Sequence, residues 1–259
     1  MLSRVYSAVT VGLDGILIEV EVDVAGRGFP HFTIGGLPSK SVYEAKERVR
    51  TAIHNNSFDM PDSRLTVNLA PADVPKDSSG LDLPIAIGIL ASCGYVDKKS
   101  CAKSMFVGEL SLEGNLRPVG GVISITALAK KLKMSAVYVS LENVEEALLI
   151  DGVDVYGVLT LADLVLHLNG NKLLTPASRK DMSQFVQKFE SDFSEIKGQQ
   201  VAKRALEIAS CGFHNVHLKG PPGAGKTLLS RAFVSILPEL TKDEVLEITK
   251  ELYETMQVP

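Results

Sequence analysis

Along 16–24, Ile16, Ile18, Val20, Val22 and Val24 fall on one face of an extended chain, and Leu17, Glu19, Glu21 and Asp23 on the other. This period of two predicts a half-buried strand, antiparallel to its neighbours. His31–Ile34 predicts a second short strand that stops at Gly35-Gly36. The pattern then shifts to helical spacing. Val42, Ala45, Val49, Ala52 and Ile53 form an apolar stripe behind a capping box at Ser41-Val42-Tyr43-Glu44. Lys46, Arg48 and Arg50 point away from that stripe and read as a solvated face. Leu65–Leu69 predicts a strand. Leu83–Ala91 is apolar nearly all round and reads as a buried helix, although periodicity alone does not separate it from a buried strand.

Further on, 106–110 and 116–119 predict the arms of a hairpin turning at Glu113-Gly114-Asn115. A helix over 122–133 ends in Lys130, Lys131 and Lys133, which suit the negative end of its dipole. Short strands are expected at 137–139 and 153–156. Between them Asn143 can cap a helix running to Leu149, with Glu146 three residues on, and Thr160 opens a last helix. From Asn169 to Glu190 the periodicity lapses, apart from a short helical pattern around Phe185–Phe189. A new unit begins near Asp192. In it, 199–209 predicts a helix with Val201, Ala205, Ile208 and Ala209 inward, 216–218 a strand, and 226–236 a helix.

The 259 residues allow one large or two ordinary domains. A net charge of -4 gives no broad basic footprint for nucleic acid. Cys93, Cys101 and Cys211 lack metal or redox spacing, as do His31, His54, His167, His214 and His217. Free thiols in a reducing compartment fit the cysteines. No segment reads as a signal peptide or a membrane span, so the expected location is the cytoplasm.

Between the last strand and helix lies Gly220-Pro221-Pro222-Gly223-Ala224-Gly225-Lys226-Thr227, the pattern G-x-x-x-x-G-K-T. Its glycines let backbone N–H groups wrap phosphate oxygens, and the following helix offers its free N–H groups and positive end to the same anion. In such loops the lysine reaches the outer phosphates and the threonine hydroxyl ligates Mg2+. The expected ligand is therefore ATP with Mg2+, held by Gly220–Thr227 and the adjoining Leu228, with Thr227 on the metal. Turnover needs more: an acidic residue on the metal, a water-positioning group and an arginine finger. Glu239, Asp243, Glu244, Glu247, Glu251 and Glu254 follow no buried strand. The stretch 243–254 reads as a solvated acidic helix, and no residue is read as catalytic.

Several segments together resemble the YifB/ComM family of magnesium-chelatase-like AAA+ proteins. They are 39–53 with its basic residues, Thr66-Val67-Asn68-Leu69-Ala70-Pro71-Ala72-Asp73, Asp82-Leu83-Pro84-Ile85-Ala86, Gly108–Val119, and Lys197-Gly198-Gln199 through Ala209. The resemblance covers essentially the whole chain and favours the helix at 83–91. It implies an α/β (α+β) architecture: a ChlI-type domain with the fold of Lon proteolytic domains over 1–168, a linker at 169–191, and the start of an AAA+ P-loop module over 192–259. It also implies a homo-hexameric ring ATPase with DNA as a partner, working by branch migration in DNA uptake and recombination. Members continue past the P-loop with the acidic metal motif, sensors, arginine finger and helical lid. The chain as it stands is therefore expected to bind nucleotide weakly and not to turn it over. Two other roles remain open: a ChlI-type binding or assembly module with a vestigial ATP site, and a magnesium-chelatase-type motor subunit. Lon-type nucleophiles sit in D-G-P-S-A-G. The stretch here is Lys76-Asp77-Ser78-Ser79-Gly80-Leu81-Asp82, and Val122-Ile123-Ser124-Ile125 stands where the Lon lysine would fall, so no peptidase is expected and Ser78 and Ser79 read as turn residues.

Overall fold

The computed structural model describes residues 2–25, 29–76, 78–178, 191–238, 240, 241, 244, 245, 247–249 and 252. Contacts divide the chain into two units: the described part of the first is 2–178 with 247–249 and 252, and that of the second lies within 191–245; the stretches 2–178 and 191–245 are taken in turn.

The first unit is a mixed α/β layer structure. In chain order it contains β1 (Leu2–Val11), β2 (Asp14–Val24), β3 (His31–Gly35), α1 (Lys40–Asn55), β4 (Arg64–Ala70), α2 (Asp82–Cys93), α3 (Lys98–Cys101), β5 (Ser104–Phe106), β6 (Glu109–Leu110), β7 (Leu116–Arg117), α4 (Val122–Lys131), β8 (Ala136–Ser140), α5 (Val144–Ala147), β9 (Asp154–Val158) and α6 (Leu161–Leu168). Among the described residues, one sheet has the order β3-β4-β2-β1-β5-β8-β9. β2 runs antiparallel to both β1 and β4, as its alternation predicts, and the other pairs are parallel. β6 and β7 form the separate hairpin, with Gly114 at φ +84° in its turn.

Both faces of the sheet are covered. Val5, Ile18, Val20 and Val22 pack with α1, α2 and α6 through Val42, Val49, Leu83, Ile87 and Leu164. On the other face Ala8, Met105, Val137 and Val155 meet Val122, Ile125 and Ala129 of α4. α2 is buried on all sides, the consequence of its unbroken apolar run. It approaches β2 so closely that a Cβ at Gly88 would lie 2.6 Å from Val22 Cγ2.

The structure corrects several expectations. β1 is a strand that the apolar pattern does not announce. Its buried positions include Ser3 and Ser7, and Ser3 hydrogen-bonds the Gly88 carbonyl at 2.7 Å instead of packing as a hydrocarbon. α1 starts one residue before Ser41, so the cap is Ser39, whose hydroxyl accepts from Val42 N–H. Ser41 bonds to Ser39, and Glu44 pairs with Lys40. Arg48 does not belong to a solvated face. It grips the fully buried Asp82 with two bonds, Nε to Oδ2 at 2.8 Å and Nη2 to Oδ1 at 3.0 Å.

The strand expected over 106–110 is broken. Gly108 leaves the sheet, donating to Gly80 O and accepting from Leu83 N. The second arm stops at Arg117, because Asn143 takes both the N–H and the C=O of Val119. Asn143 therefore caps nothing at α5. Glu146 instead accepts from Ile123 N–H at 2.9 Å and caps α4 from outside. Burial pushes the Glu146 carboxyl above its ordinary range, against the pull of that bond. Thr160 caps α6 as expected, accepting from Asp163 N–H. Beyond α6, 171–178 stays with this unit: Leu174 N–H donates to His167 Nδ1 and Ala177 N–H to the Val155 carbonyl on the outer strand β9. The short helix expected around Phe185–Phe189 lies outside the described residues.

Candidate nucleotide-binding loop

The second unit is built on α7 (Gln200–Gly212) and α8 (Lys226–Phe233), the latter continuing as a 3-10 turn to Ile236. Phe193, Ile196, Leu206, Leu229 and Ala232 form its small core. Asp192 starts the unit by accepting from Ser194 N–H, a bond that holds its carboxyl below the ordinary value.

α7 buries Ala209 as expected but otherwise presents a different face. Leu206, Ala209 and Ser210 are buried, whereas Val201 is 87% and Ile208 53% exposed and Ala205 is exposed too. The helix carries two apolar stripes, and spacing alone does not say which one the core takes. No strand forms at 216–218. Residues 214–220 run without ladder bonds to any described segment.

The loop itself has the geometry its glycines allow. Gly223 and Gly225 sit at φ +81° and +78°, and a Cβ at either would meet nothing within 4 Å, so backbone conformation rather than space requires glycine there. Gly225 is the cap residue of α8 and offers no side-chain bond, which leaves the first N–H groups of the helix without a side-chain partner. Lys226 folds back over the loop, its ammonium donating to Gly220 O at 2.9 Å and Pro221 O at 2.7 Å. Gly220, Pro221 and Pro222 are exposed, Ala224 is half-buried, and Ala224 N–H approaches Pro221 O at 3.4 Å. Thr227 and Leu228 are exposed while Leu229 anchors the helix in the core. Thr227, Lys226 and Ser230 border a cavity of about 480 Å3 whose other walls include Val216, Leu218 and Phe233.

One contact escaped the sequence reading. Gly198 and Gln199 both adopt left-handed backbone, and this turn brings Gln199 Nε2 to 3.4 Å from Ala224 O. The Gly-Gln pair ahead of the helix was the only available signal. The donor set suits a polyphosphate: the head of α8 has no side-chain cap, and an ammonium, a hydroxyl and two left-handed glycines stand at it. Among the described residues, no group of three or more His, Cys, Asp or Glu side chains could hold a metal ion unaided, and no helix is long and apolar enough to cross a membrane.

In the first unit, Ser78 caps Gly80 N–H at 3.1 Å, a turn role. Lys76 is buried, burial pulls its pKa down, and its ammonium donates to the Pro71 carbonyl.

A two-faced α/β unit precedes a unit with a glycine-rich loop at a helix head, and magnesium-chelatase ChlI family models match both. Residues 20–143 match the family model described as Subunit ChlI of Mg-chelatase, and 192–256 the model described as Magnesium chelatase, subunit ChlI. Competence protein ComM of Haemophilus influenzae is 43% identical over 95% of this chain and 48% of its own length. Uncharacterized protein YifB of Escherichia coli is 38% identical over 95% and 48% respectively. Lon protease 2 of Bacillus subtilis is 26% identical over 58% of this chain and 30% of its own, in keeping with the Lon-like fold of the first unit. The chain belongs to the ComM/YifB family of ChlI-like proteins, and it spans about half the length of the curated relatives it matches.

Proposed function

We propose that Gly220–Leu228 binds ATP with Mg2+ in a hexameric AAA+ ring ATPase of the cytoplasm that processes DNA during uptake and recombination. The observation that carries the nucleotide half is Lys226, already folded over a loop with two left-handed glycines at the head of an uncapped helix. The DNA half rests on similarity to a protein named for competence. In this assignment the N–H groups from Gly223 to Thr227 hold the phosphates, Lys226 neutralises the outer ones, and the Thr227 hydroxyl faces the metal. Bound ATP would supply the phosphoryl group whose transfer to water drives such machines. The ChlI-type domain is assigned to 1–168 together with the segment 171–178 that bonds to it, and the nucleotide module to 192–259.

The test is a titration with a fluorescent ATP analogue and Mg2+, with and without Lys226→Ala. Saturable binding that falls at least ~10-fold in the variant supports the assignment, since tenfold is about 1.4 kcal/mol, well within a charge-assisted contact. Equal affinity in both overturns it. A second reading, a ChlI-type assembly module with an inert loop, draws on the contrast between the broad core of the first unit and the small one of the second. It requires that neither protein bind.

A further inference from the structure

The two edges of the sheet are treated differently. β9 is partly covered, since Ala177 donates to its Val155 carbonyl. β3 pairs with β4 on one side and, among the described residues, with nothing on the other. Its sequence, His31-Phe32-Thr33-Ile34-Gly35, holds no lysine, proline or acid of the kind that discourages a further strand. Large apolar side chains stand at both ends of this edge: Phe29, 93% exposed, just before β3, and Leu37 just after it.

Above the edge lies α1. Lys46 and Arg50 are one helical turn apart and border a groove of about 200 Å3 floored by Phe32, Met60, Pro61 and Leu65. The Lys46 ammonium lies 5.6 Å from the centre of the Phe32 ring. Among the described residues neither cation has a carboxylate within ion-pair distance, although Asp62 also borders the groove. The exposed Tyr43 continues the same stripe of the helix, seven residues before Arg50.

We propose that the free edge of β3 and this groove form a docking site for an extended acidic peptide of a partner protein. The peptide adds a strand to β3, places one apolar side chain against Phe32 and Met60, and sets carboxylates beside Lys46 and Arg50. Strand addition supplies affinity through the backbone, and pockets for alternate side chains supply specificity. The size and charge of the groove favour a peptide over nucleic acid. About 200 Å3 holds one side chain but falls below the ~300 Å3 lower bound usual for small-ligand pockets. Two cations beside an aspartate do not make the basic stripe that a phosphate backbone requires.

Fluorescence anisotropy on the full chain tests this without knowledge of the natural partner. The probes are fluorescein-labelled peptides of about ten residues alternating Glu with Leu or Val, in both registers. Comparators are the Lys counterpart, the acidic peptide N-methylated at alternate amides, and a labelled single-stranded oligonucleotide. An acidic peptide is expected to bind, with the Lys and N-methylated forms at least ~10-fold weaker. Lys46→Glu with Arg50→Glu should weaken it by a similar factor while leaving the thermal melt unchanged. The peptide comparators decide the matter even if the double variant folds poorly. Failure of both acidic registers, affinity indifferent to N-methylation, or affinity indifferent to charge reversal overturns the proposal. So does tighter binding of the oligonucleotide through Lys46 and Arg50. A chain dimer in sedimentation that the same reversal dissolves reassigns the edge to a second copy and overturns it too. None of these outcomes depends on Lys226, so failure here leaves the nucleotide assignment standing.

Discussion

The Arg48–Asp82 pair ties three elements together. Asp82 also accepts from Leu110 N–H at 3.2 Å, so one buried carboxylate joins α1, the head of α2 and the β6–β7 hairpin. The bond to Asp82 raises the Arg48 guanidinium above its ordinary value. Arg48→Met would leave the carboxylate buried without its counter-charge, at a cost of about 3–5 kcal/mol. Urea unfolding should show that loss. Adding Asp82→Asn should recover most of it, since asparagine removes the charge yet keeps an acceptor for Leu110. No recovery in the double variant would mean that the pair does not act as a pair. Nothing in the sequence joins these positions, 34 residues apart. The only hint is an aspartate heading an otherwise apolar helix. The loop residues were legible for the opposite reason: a phosphate cradle is local, and its glycines, lysine and threonine stand within eight positions of one another.

At the scale of elements, close approach decides more than propensity does. Gly88→Ala adds a methyl to a helix interior, worth up to about 1 kcal/mol in an exposed helix. In α2 that methyl meets Val22 Cγ2, a stiff β-branched neighbour, so a net destabilisation of about 1–3 kcal/mol is expected. In a Val22→Ala background the penalty should shrink, and a double-mutant cycle in urea measures the difference. β1 escaped the pattern because its inward positions alternate serine with valine; α2 satisfies Ser3, whereas the Ser7 hydroxyl is buried without a hydrogen-bond partner among the described residues. Ser92 bonds both Ser3 and the Val22 carbonyl. β2 was legible because its inward positions are all hydrocarbon.

α6 carries a titration that can be checked. His167 Nδ1 accepts from Leu174, so in the neutral ring Nε2 holds the proton and donates to Tyr138 at 3.0 Å. Burial lowers the His167 pKa from 6.5 and pushes Tyr138 up to about 12. Tyr156 lies tilted against the His167 ring at 5.1 Å, and Asp163, one turn earlier on α6, is neutralised by Lys172. The unfolded ring therefore binds a proton more readily than the folded one. Its contribution to stability is complete above the ordinary value of 6.5 and is lost as pH falls through the lower folded value. Melting temperatures taken from about pH 7.5 down to about pH 5 should fall more steeply for the wild type than for His167→Gln. Parallel curves would defeat the assignment.

For the whole molecule, the expected behaviour is two transitions. The first unit buries both faces of a sheet. Among the described residues, the second has five buried hydrophobic core side chains and leaves Val201, Ile208, Phe213 and Leu228 at the surface. Calorimetry should show the second melting first, and one shared transition would contradict this. Val201→Lys with Ile208→Glu should leave its midpoint nearly unchanged, within about 0.5 kcal/mol, because neither side chain is buried, while raising solubility. The inward face of α7 was illegible because two candidate stripes compete. The mixed α/β class was legible because strand and helix periods alternate through much of the first unit, β1 and the all-apolar α2 excepted.

The segment past α6 bears on where this protein can be cut. A version of the front unit ending at Leu168 would strip Leu174 from His167 and Ala177 from Val155, baring an outer strand. Ten more residues keep that strand's cover. The shorter product should precipitate under conditions in which the longer one stays dispersed.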